Sequence, residues 1–271
     1  MYSSSNVVFL LNILVLIFLV KAVISVKGHC PARCVCSTIE GSCVELSLTK
    51  FPEERFPGSL MKLDISRNLI SELGEYTIRY WMIVSLRKLN LSNNAINRIN
   101  EQSLMGQSGL KELDLSGNEI TTIPPKTFVY PPHLQWLSLA NNGELEMPED
   151  APLLESSSLK VLHLEHCNID RISVINLQKV MELEELYISH NRIEVIATEN
   201  EGETSALKNL KVLDVSHNQL QELPPEILAL LSLETLVLRK NKLKVLGEMK
   251  YSGEFCEKDL YAETHIKTVS S

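Results

Sequence analysis

The chain has 271 residues, 44% of them hydrophobic, and a formal net charge of −8 at pH 7. That hydrophobic fraction is ordinary for a protein with a buried core, so we do not expect extensive disorder. The negative charge argues against nucleic acid as a partner, because binding to phosphates depends largely on clustered Lys and Arg.

The chain begins with an apolar run of 14 residues, VVFLLNILVLIFLV, at positions 7–20. The run has the length of the hydrophobic region of a secretory signal peptide and is short for a membrane span. Because small residues that suit cleavage follow it, we predict a signal peptide over residues 1–25 and a secreted mature chain without a membrane span. The preceding MYSSSN contains no Lys or Arg, so the alternative is an uncleaved signal anchor that holds the protein in a membrane.

Four cysteines follow the predicted cleavage site in a C-x3-C-x-C-x6-C cluster: Cys30, Cys34, Cys36 and Cys43. Their spacing is unlike the paired C-x2-C units of structural zinc sites. In an exported protein such a density of cysteine indicates disulfides, and four cysteines allow three different pairings. We therefore predict two disulfides among these four cysteines.

Eight copies of the pattern L-x-x-L-x-L-x-x-N/C-x-L occupy residues 60–246. Their first leucines are Leu60, Leu86, Leu110, Leu134, Leu159, Leu183, Leu210 and Leu233. The spacing from one copy to the next is 23 to 27 residues, within the range of leucine-rich repeats. The pattern predicts an α/β fold, a curved leucine-rich-repeat solenoid with a parallel β-sheet on its concave face and irregular or short-helical segments on its convex side.

Each copy is expected to form a short strand whose side chains alternate, so that the leucines point inward and the residues between them point outward. The asparagine follows at a sharp turn, where its side chain can bond to backbone groups that the turn leaves unpaired. We expect a buried ladder of Asn68, Asn94, Asn118, Asn142, Asn191, Asn218 and Asn241. Cys167 occupies the same position in the fifth copy and is predicted to be an interior structural residue.

The connections between the strands differ in composition. Residues 121–133 contain four prolines and are predicted to be loop with little regular helix. A short helix is predicted after Pro224 and Pro225. The long connections 143–158 and 197–206 are polar and acidic, and we expect them to bulge from the convex surface.

The stretch HLEHCN at positions 163–168 raises the question of a metal site. His163 and Glu165 are spaced like the H-x-E of the zinc deaminases, but those enzymes also need a downstream P-C-x-x-C, which this chain lacks. In the predicted register His163 and Glu165 point outward whereas Cys167 faces the core, so the three side chains do not converge on one ion. We predict neither a metal nor a cofactor.

The cluster CPARCVCSTIEGSC, residues 30–43, and the repeats that follow it resemble the extracellular leucine-rich-repeat superfamily. That superfamily includes Slit-like proteins, Toll-type receptor ectodomains and small leucine-rich proteoglycans. The resemblance implies an N-terminal cysteine-rich cap over residues 28–59, which closes the leucine core and pairs Cys30 with Cys36 and Cys34 with Cys43.

The C-terminal residues 247–271 are predicted to form a polar tail. Many relatives have a second cysteine-rich cap at this point, whereas this segment contains only Cys256. A leftover cysteine in an exported protein is a candidate for an intermolecular disulfide with a partner. The departure from the family pattern also fits a truncated receptor ectodomain.

The outward residues of the central strands supply the candidate ligand-binding surface. Neighbouring strands lie about 4.8 Å apart, so outward residues of consecutive repeats are in contact range. The predicted ligand-binding residues are Trp136, Val161, His163, Glu165, Glu185 and Tyr187. Trp and Tyr are frequent binding hot spots; the alternative is that a loop covers Trp136 and makes it part of the fold.

Two further features concern the same face. His166, His190 and His217 fall at equivalent positions of successive repeats. We interpret them as ordinary surface residues; the alternative is a pH switch, in which protonation of the three rings weakens binding or stability. The sequon Asn90-Leu91-Ser92 is the only one in the chain, so Asn90 is the predicted N-glycosylation site. A glycan there would direct protein ligands toward repeats four to seven.

We predict a secreted or cell-surface recognition module that binds a protein ligand or co-receptor non-covalently on its concave face. The alternative, from a different class, is a structural component of the extracellular matrix like the small leucine-rich proteoglycans. Catalysis is not expected, because the Ser-His neighbours at 189–190 and 216–217 lack an orienting carboxylate and an oxyanion-hole turn.

Overall fold

The computed structural model describes residues 30–81, 83–198 and 207–243, and the backbone of residues 263–265. The predicted signal peptide, Cys256 and most of the second long connection lie outside the described residues. None of the helices within the described part is long and apolar enough to cross a bilayer.

Short strands dominate the structure. In chain order they are β1 Val35–Cys36, β2 Glu40–Ser42, β3 Lys62–Asp64, β4 Glu72–Leu73, β5 Lys88–Asn90, β6 Arg98–Ile99, β7 Glu112–Asp114, β8 Trp136–Ser138, β9 Val161–His163, β10 Arg171–Ser173, β11 Glu185–Tyr187, β12 Val195–Ala197, β13 Val212–Asp214, β14 Thr235–Val237 and β15 Glu263–His265. The main sheet has the order β1-β2-β3-β5-β7-β8-β9-β11-β13-β14-β15. It is parallel from β2 to β14 and antiparallel at both ends. Two small parallel sheets, β4–β6 and β10–β12, lie beside it.

Each repeat strand places one leucine in the core between two outward residues. In β8 and β9 these leucines are Leu137 and Leu162, and both are fully buried. They pair directly with each other, as do their counterparts along the sheet, so the leucines form one continuous core. The predicted leucine-rich-repeat solenoid is therefore confirmed.

The asparagine ladder joins each repeat to the one before it. The Oδ1 atom of Asn191 accepts hydrogen bonds from the amides of Cys167 (2.9 Å) and Ile169 (3.1 Å). Its Nδ2 donates to the carbonyls of Leu164 and Ile188 at 2.8 and 2.9 Å. Of the seven predicted ladder residues, five are buried and Asn94 and Asn241 are half-buried.

Cys167 takes the ladder position of repeat five, as predicted. Its side chain is fully buried, and Sγ lies 3.2 Å from the carbonyl oxygen of Leu139 and 3.4 Å from that of Glu165. Burial raises the pKa of this thiol to about 11. The thiol therefore stays protonated at neutral pH and is a structural donor.

The N-terminal cap closes the first repeat with a hairpin and two disulfides. Cys30 is bonded to Cys36 and Cys34 to Cys43, which is the pairing that the resemblance implies. Strand β2 extends the main sheet in parallel with β3. Its central residue is Gly41, where a Cβ atom would lie 2.9 Å from Leu60 Cδ1. Glycine thus lets the cap approach the leucine core closely.

Aromatic packing fixes the convex side of the cap. Phe51 and Phe56 both meet Trp81 edge-on, with ring centroids 5.3 and 5.2 Å away. The Trp81 indole Nε1 donates to the carbonyl of Pro52 at 3.0 Å. Both the apolar ring and its polar nitrogen are therefore satisfied inside the protein.

The convex side contains only single turns of helix within the described residues. The 3-10 helices are Arg79–Trp81 and Pro125–Val129, and the α-helices are Val174–Leu177 and Pro225–Leu228. The helix that begins at Pro225 confirms the expectation from its two prolines. The helix Val174–Leu177 follows a capping box formed by Ser173 and Asn176 and was not expected from the sequence.

The connection 143–158 differs from the predicted solvated bulge. Leu145, Leu153 and Leu154 are buried in the common core. Asn176, which is 2% exposed, donates through Nδ2 to the carbonyls of Pro148 at 2.7 Å and Ala151 at 2.9 Å. The expectation of a bulge is therefore wrong for these leucines. The segment is polar and acidic as a whole, so its composition gave no sign that three of its leucines pack into the core.

Candidate functional site

The register of three neighbouring strands brings the predicted site residues together. Trp136 pairs with Val161, and Val161 pairs with Glu185 on the next strand. Two positions further along, His163 pairs with Tyr187. We call the surface made by these residues and Glu165 the concave patch; its members are Trp136, Val161, His163, Glu165, Glu185 and Tyr187.

Three aromatic rings lie side by side in the concave patch. The His163 ring stacks on Tyr187 with centroids 4.6 Å apart and planes 5° from parallel. Trp136 lies on the other side of His163 at 5.3 Å, tilted by 52°. All three side chains are half-buried. Trp136 therefore remains partly accessible to solvent.

Two carboxylates hold the rings in place. Glu165 Oε1 lies 2.8 Å from His163 Nδ1, and the Tyr187 hydroxyl donates to Glu185 Oε2 at 2.8 Å. Burial, the bond to Glu185 and the neighbouring negative charges raise the pKa of Tyr187 to about 12. The phenol therefore remains protonated and continues to donate at neutral pH.

One oxygen of the concave patch has no donor. Glu165 Oε2 is buried and has no hydrogen-bond partner within the described residues. The carboxylate is bonded through its other oxygen only, so part of its negative charge is uncompensated.

The residues of the central outward column differ in how they bond to the turn after the strand. In repeats one, three and seven the side chains of Asp64, Asp114 and Asp214 each accept a bond from the amide two residues later. His163 and Tyr187 occupy the same column without that bond, and their rings stack on each other. The recurring D-x-S sequence is typical of such turns.

The three histidines form a second stack beside the concave patch. The ring of His190 lies 4.3 Å from that of His166 and 4.0 Å from that of His217. Their φ angles are 54°, 57° and 54° for His166, His190 and His217, a left-handed conformation that His adopts more readily than most residues. Burial, followed by the nearness of the other two rings, lowers the pKa of His190.

A chain of ion pairs links residues that immediately precede strands β9, β11 and β13. Glu184 contacts both Lys160 and Lys211, and the two ammonium groups lower its pKa. On the N-terminal strands Lys88 is paired with Glu112 at 2.6 Å. These lysines are therefore engaged with carboxylates outside the concave patch.

The predicted glycosylation site lies at the N-terminal end of the same face. Asn90 donates through Nδ2 to Asp64 at 3.2 Å, and its Oδ1 accepts from the amide of Ser92 at 2.9 Å. Together with Val35 and Lys62 it lines a cavity of about 410 Å³ beside the cap. A sugar on Asn90 would extend over this cavity, two strands from Trp136.

Comparison with known proteins places the repeats in a family. The family model described as "Leucine rich repeat" matches residues 84–143, and the model described as "Leucine Rich repeats (2 copies)" matches residues 182–229. The chain is 29% identical to Chaoptin of Drosophila melanogaster over 73% of its own length and 15% of Chaoptin. It is 30% identical to Podocan-like protein 1 of Mus musculus over 73% of this chain and 34% of that protein. The chain thus spans about a third or less of these two relatives.

A solved structure supports the fold. The crystal structure of human 5T4, described as Wnt-activated inhibitory factor 1 or trophoblast glycoprotein, superposes with a TM-score of 0.62 at 21% identity. The superposition covers 79% of this chain and 81% of the other. At this identity the likeness establishes the solenoid architecture alone.

Proposed function

The chain belongs to the leucine-rich-repeat proteins with an N-terminal cysteine-rich cap, and from that premise we propose that it is a secreted or cell-surface module that binds a protein ligand through its concave patch. The extracellular relatives, which are small proteoglycans and receptor ectodomains, recognise partners and are not enzymes. The ligand would be held without covalent chemistry, by the outward residues of β8, β9 and β11.

The observation that carries this proposal is the exposure of three aromatic rings on adjacent strands. The leucines between them already fill the core, so Trp136, His163 and Tyr187 are not required to build it. Trp and Tyr contribute more binding free energy than most residues at protein interfaces. A half-exposed aromatic cluster on a rigid sheet is therefore the best-supported binding surface of the described chain.

The cap supports a location outside the cytosol. Its two disulfides are stable in oxidising compartments, and several of the homologous proteins are extracellular or secreted. We propose cleavage of residues 1–25, followed by the cap at 28–59, the repeats at 60–246 and a polar tail at 247–271. Intact mass of the chain secreted from animal cells, with and without glycosidase, tests the cleavage and the single glycan on Asn90.

The binding proposal is tested with Trp136→Ala. The secreted chain is presented as a multimer to an array of purified receptor ectodomains, and each ectodomain that binds is measured again with the variant. We expect a loss of affinity of about 30-fold, which is the size of a binding hot spot. The melting temperature should change by no more than about 2 °C, because the ring is not part of the core.

The matched control is Thr235→Ala, a smaller outward residue at the far end of the same column. It should leave the affinity unchanged. Equal affinities for wild type, Trp136→Ala and Thr235→Ala would refute the proposal that the concave patch is the binding surface.

A further inference from the structure

We infer that the concave patch receives a positively charged side chain, Lys or Arg, of its protein partner. The inference rests on the proposed function and adds the chemistry of the group that is recognised. The inference depends on the carboxylates around the three aromatic rings and on the groups to which these carboxylates are already bonded.

The ionised groups around the Tyr187 hydroxyl all carry the same sign. They are the carboxylates of Glu185, Asp214 and Glu165. Glu185 is occupied by the neutral phenol of Tyr187, and Glu165 by the imidazole of His163. Neither hydrogen bond brings a Lys or Arg charge to the concave patch, so a net negative potential faces the ligand.

One lysine does interact with the patch: Lys211 attracts Glu185 electrostatically, but its ammonium group is bonded to Glu184. Lys160 and Lys211 both contact Glu184, and Lys88 contacts Glu112. Lys211 therefore offsets the charge of Glu185 only in part, and the three carboxylates around Tyr187 keep a net negative charge that a cation of the partner can neutralise.

The aromatic rings favour the same kind of group. A cation within about 6 Å of a Trp or Tyr ring is attracted by the negative face of the ring, and Trp attracts it most strongly. An Arg or Lys that packs on the exposed parts of Trp136 and Tyr187, which flank His163, would meet an aromatic ring and a carboxylate together. Both attractions are enhanced by partial burial, which reduces screening by water.

The test uses a displayed library of random cyclic peptides selected on the full secreted chain. Selected peptides are screened again on Trp136→Ala, and only those that lose binding are kept. We expect these peptides to be enriched in Lys and Arg. One of them is then made with its basic residue replaced by citrulline, an uncharged residue of nearly the same shape as Arg.

The citrulline peptide should bind wild type about tenfold more weakly. On a Glu165→Gln/Glu185→Gln double variant the two peptides should bind almost equally, because the negative charge is gone. The indole NMR signals show the location: that of Trp136 should shift on binding, whereas that of Trp81, which is 2% exposed and bonded to Pro52, should not.

The outcomes separate the two proposals. Trp136-dependent peptides without basic residues, or an unaffected citrulline peptide, would overturn the inference of a cationic group and leave the concave patch as the binding surface. Peptides that bind wild type and Trp136→Ala equally would place recognition elsewhere and overturn both.

Discussion

At the scale of single residues, Cys167 is explained by the turn of the repeat before it. In most repeats the apolar residue two positions after Asn donates its amide to the asparagine of the next repeat, as Ile120 does to Asn142 Oδ1 at 3.0 Å. In repeat four an additional residue moves this apolar residue to Leu145, whose amide donates instead to the carbonyl of Asn142 at 3.1 Å. Repeat four therefore does not offer this amide donor to an asparagine at position 167. A thiol does not need this donor, because it donates its own hydrogen to a carbonyl oxygen.

This account predicts that the consensus residue is unfavourable here. In Cys167→Asn the side-chain oxygen would be buried without its usual donor, so we expect the free energy of unfolding to fall by about 1–3 kcal/mol. Cys167→Ser is the control, since its hydroxyl can still donate to Leu139, and it should cost less. Denaturant titration of the two variants measures the difference; an Asn variant as stable as wild type would show that the additional residue in repeat four is irrelevant.

At the scale of the repeat turn, the stacked histidines give the fold a pH dependence. Burial and the rings of His217 and His166 lower the pKa of His190, Arg239 lowers it further, and Asp214 opposes the shift. A lowered pKa means that the folded state prefers the neutral ring. The resulting stabilisation is complete above the ordinary pKa of 6.5 and is lost as the pH falls below it toward the folded pKa.

The prediction is tested with His190→Asn. Asparagine accepts a left-handed backbone and already occupies the equivalent position at Asn93 and Asn141. We expect the variant to lose less stability than wild type between about pH 7.5 and about pH 5.5, because the ring whose pKa folding lowers is absent. His133→Asn, which alters an exposed histidine outside the stack, should behave like wild type. Parallel pH profiles for all three proteins would contradict the assignment.

The short convex helix shows the limit of repeat-based prediction. Ser173 and Asn176 look like ordinary polar residues in the sequence, and the repeat pattern says nothing about the return path. The side chain of Asn176 donates to the carbonyls of Pro148 and Ala151, which are 25 or more residues earlier in the chain. Only the folded arrangement brings these groups together.

At the scale of the molecule, the cap protects the first repeat from opening. Stability in a repeat protein is approximately a sum over neighbouring units, so a loss at one end acts locally. Replacing Cys34 and Cys43 by serine should cost about 3 kcal/mol by the loop-entropy estimate. Hydrogen exchange at Leu63 should become faster while exchange at Leu213 stays the same.

The Cys30–Cys36 disulfide offers the control for this experiment. It closes a shorter loop, with a sequence separation of 6 against 9, and its removal should have a smaller effect. If exchange rises equally in all repeats after loss of the Cys34–Cys43 disulfide, the chain unfolds as one unit and the local role of the cap is wrong.

Much of the fold can be predicted because the repeat register alone determines which residues of neighbouring strands lie side by side. Counting from each starting leucine is sufficient to place Trp136 beside Val161, and His163 beside Tyr187. Counting cannot show that Glu165 bonds to His163 or that Glu185 bonds to Tyr187, since these bonds depend on side-chain rotamers. The burial of the leucines in residues 143–158 cannot be predicted by this counting, because these leucines lie outside the repeating positions.

The uniform register has a consequence for how such a surface diversifies. The connection 143–158 lengthens the return path, yet Trp136 still pairs directly with Val161 across it. Each repeat contributes one strand to the sheet. A substitution at an outward position therefore changes one side chain of the surface without disturbing the leucines behind it. Duplication of one repeat would add a complete row in step with the others. Ligand preference and structural integrity can therefore change independently in this architecture.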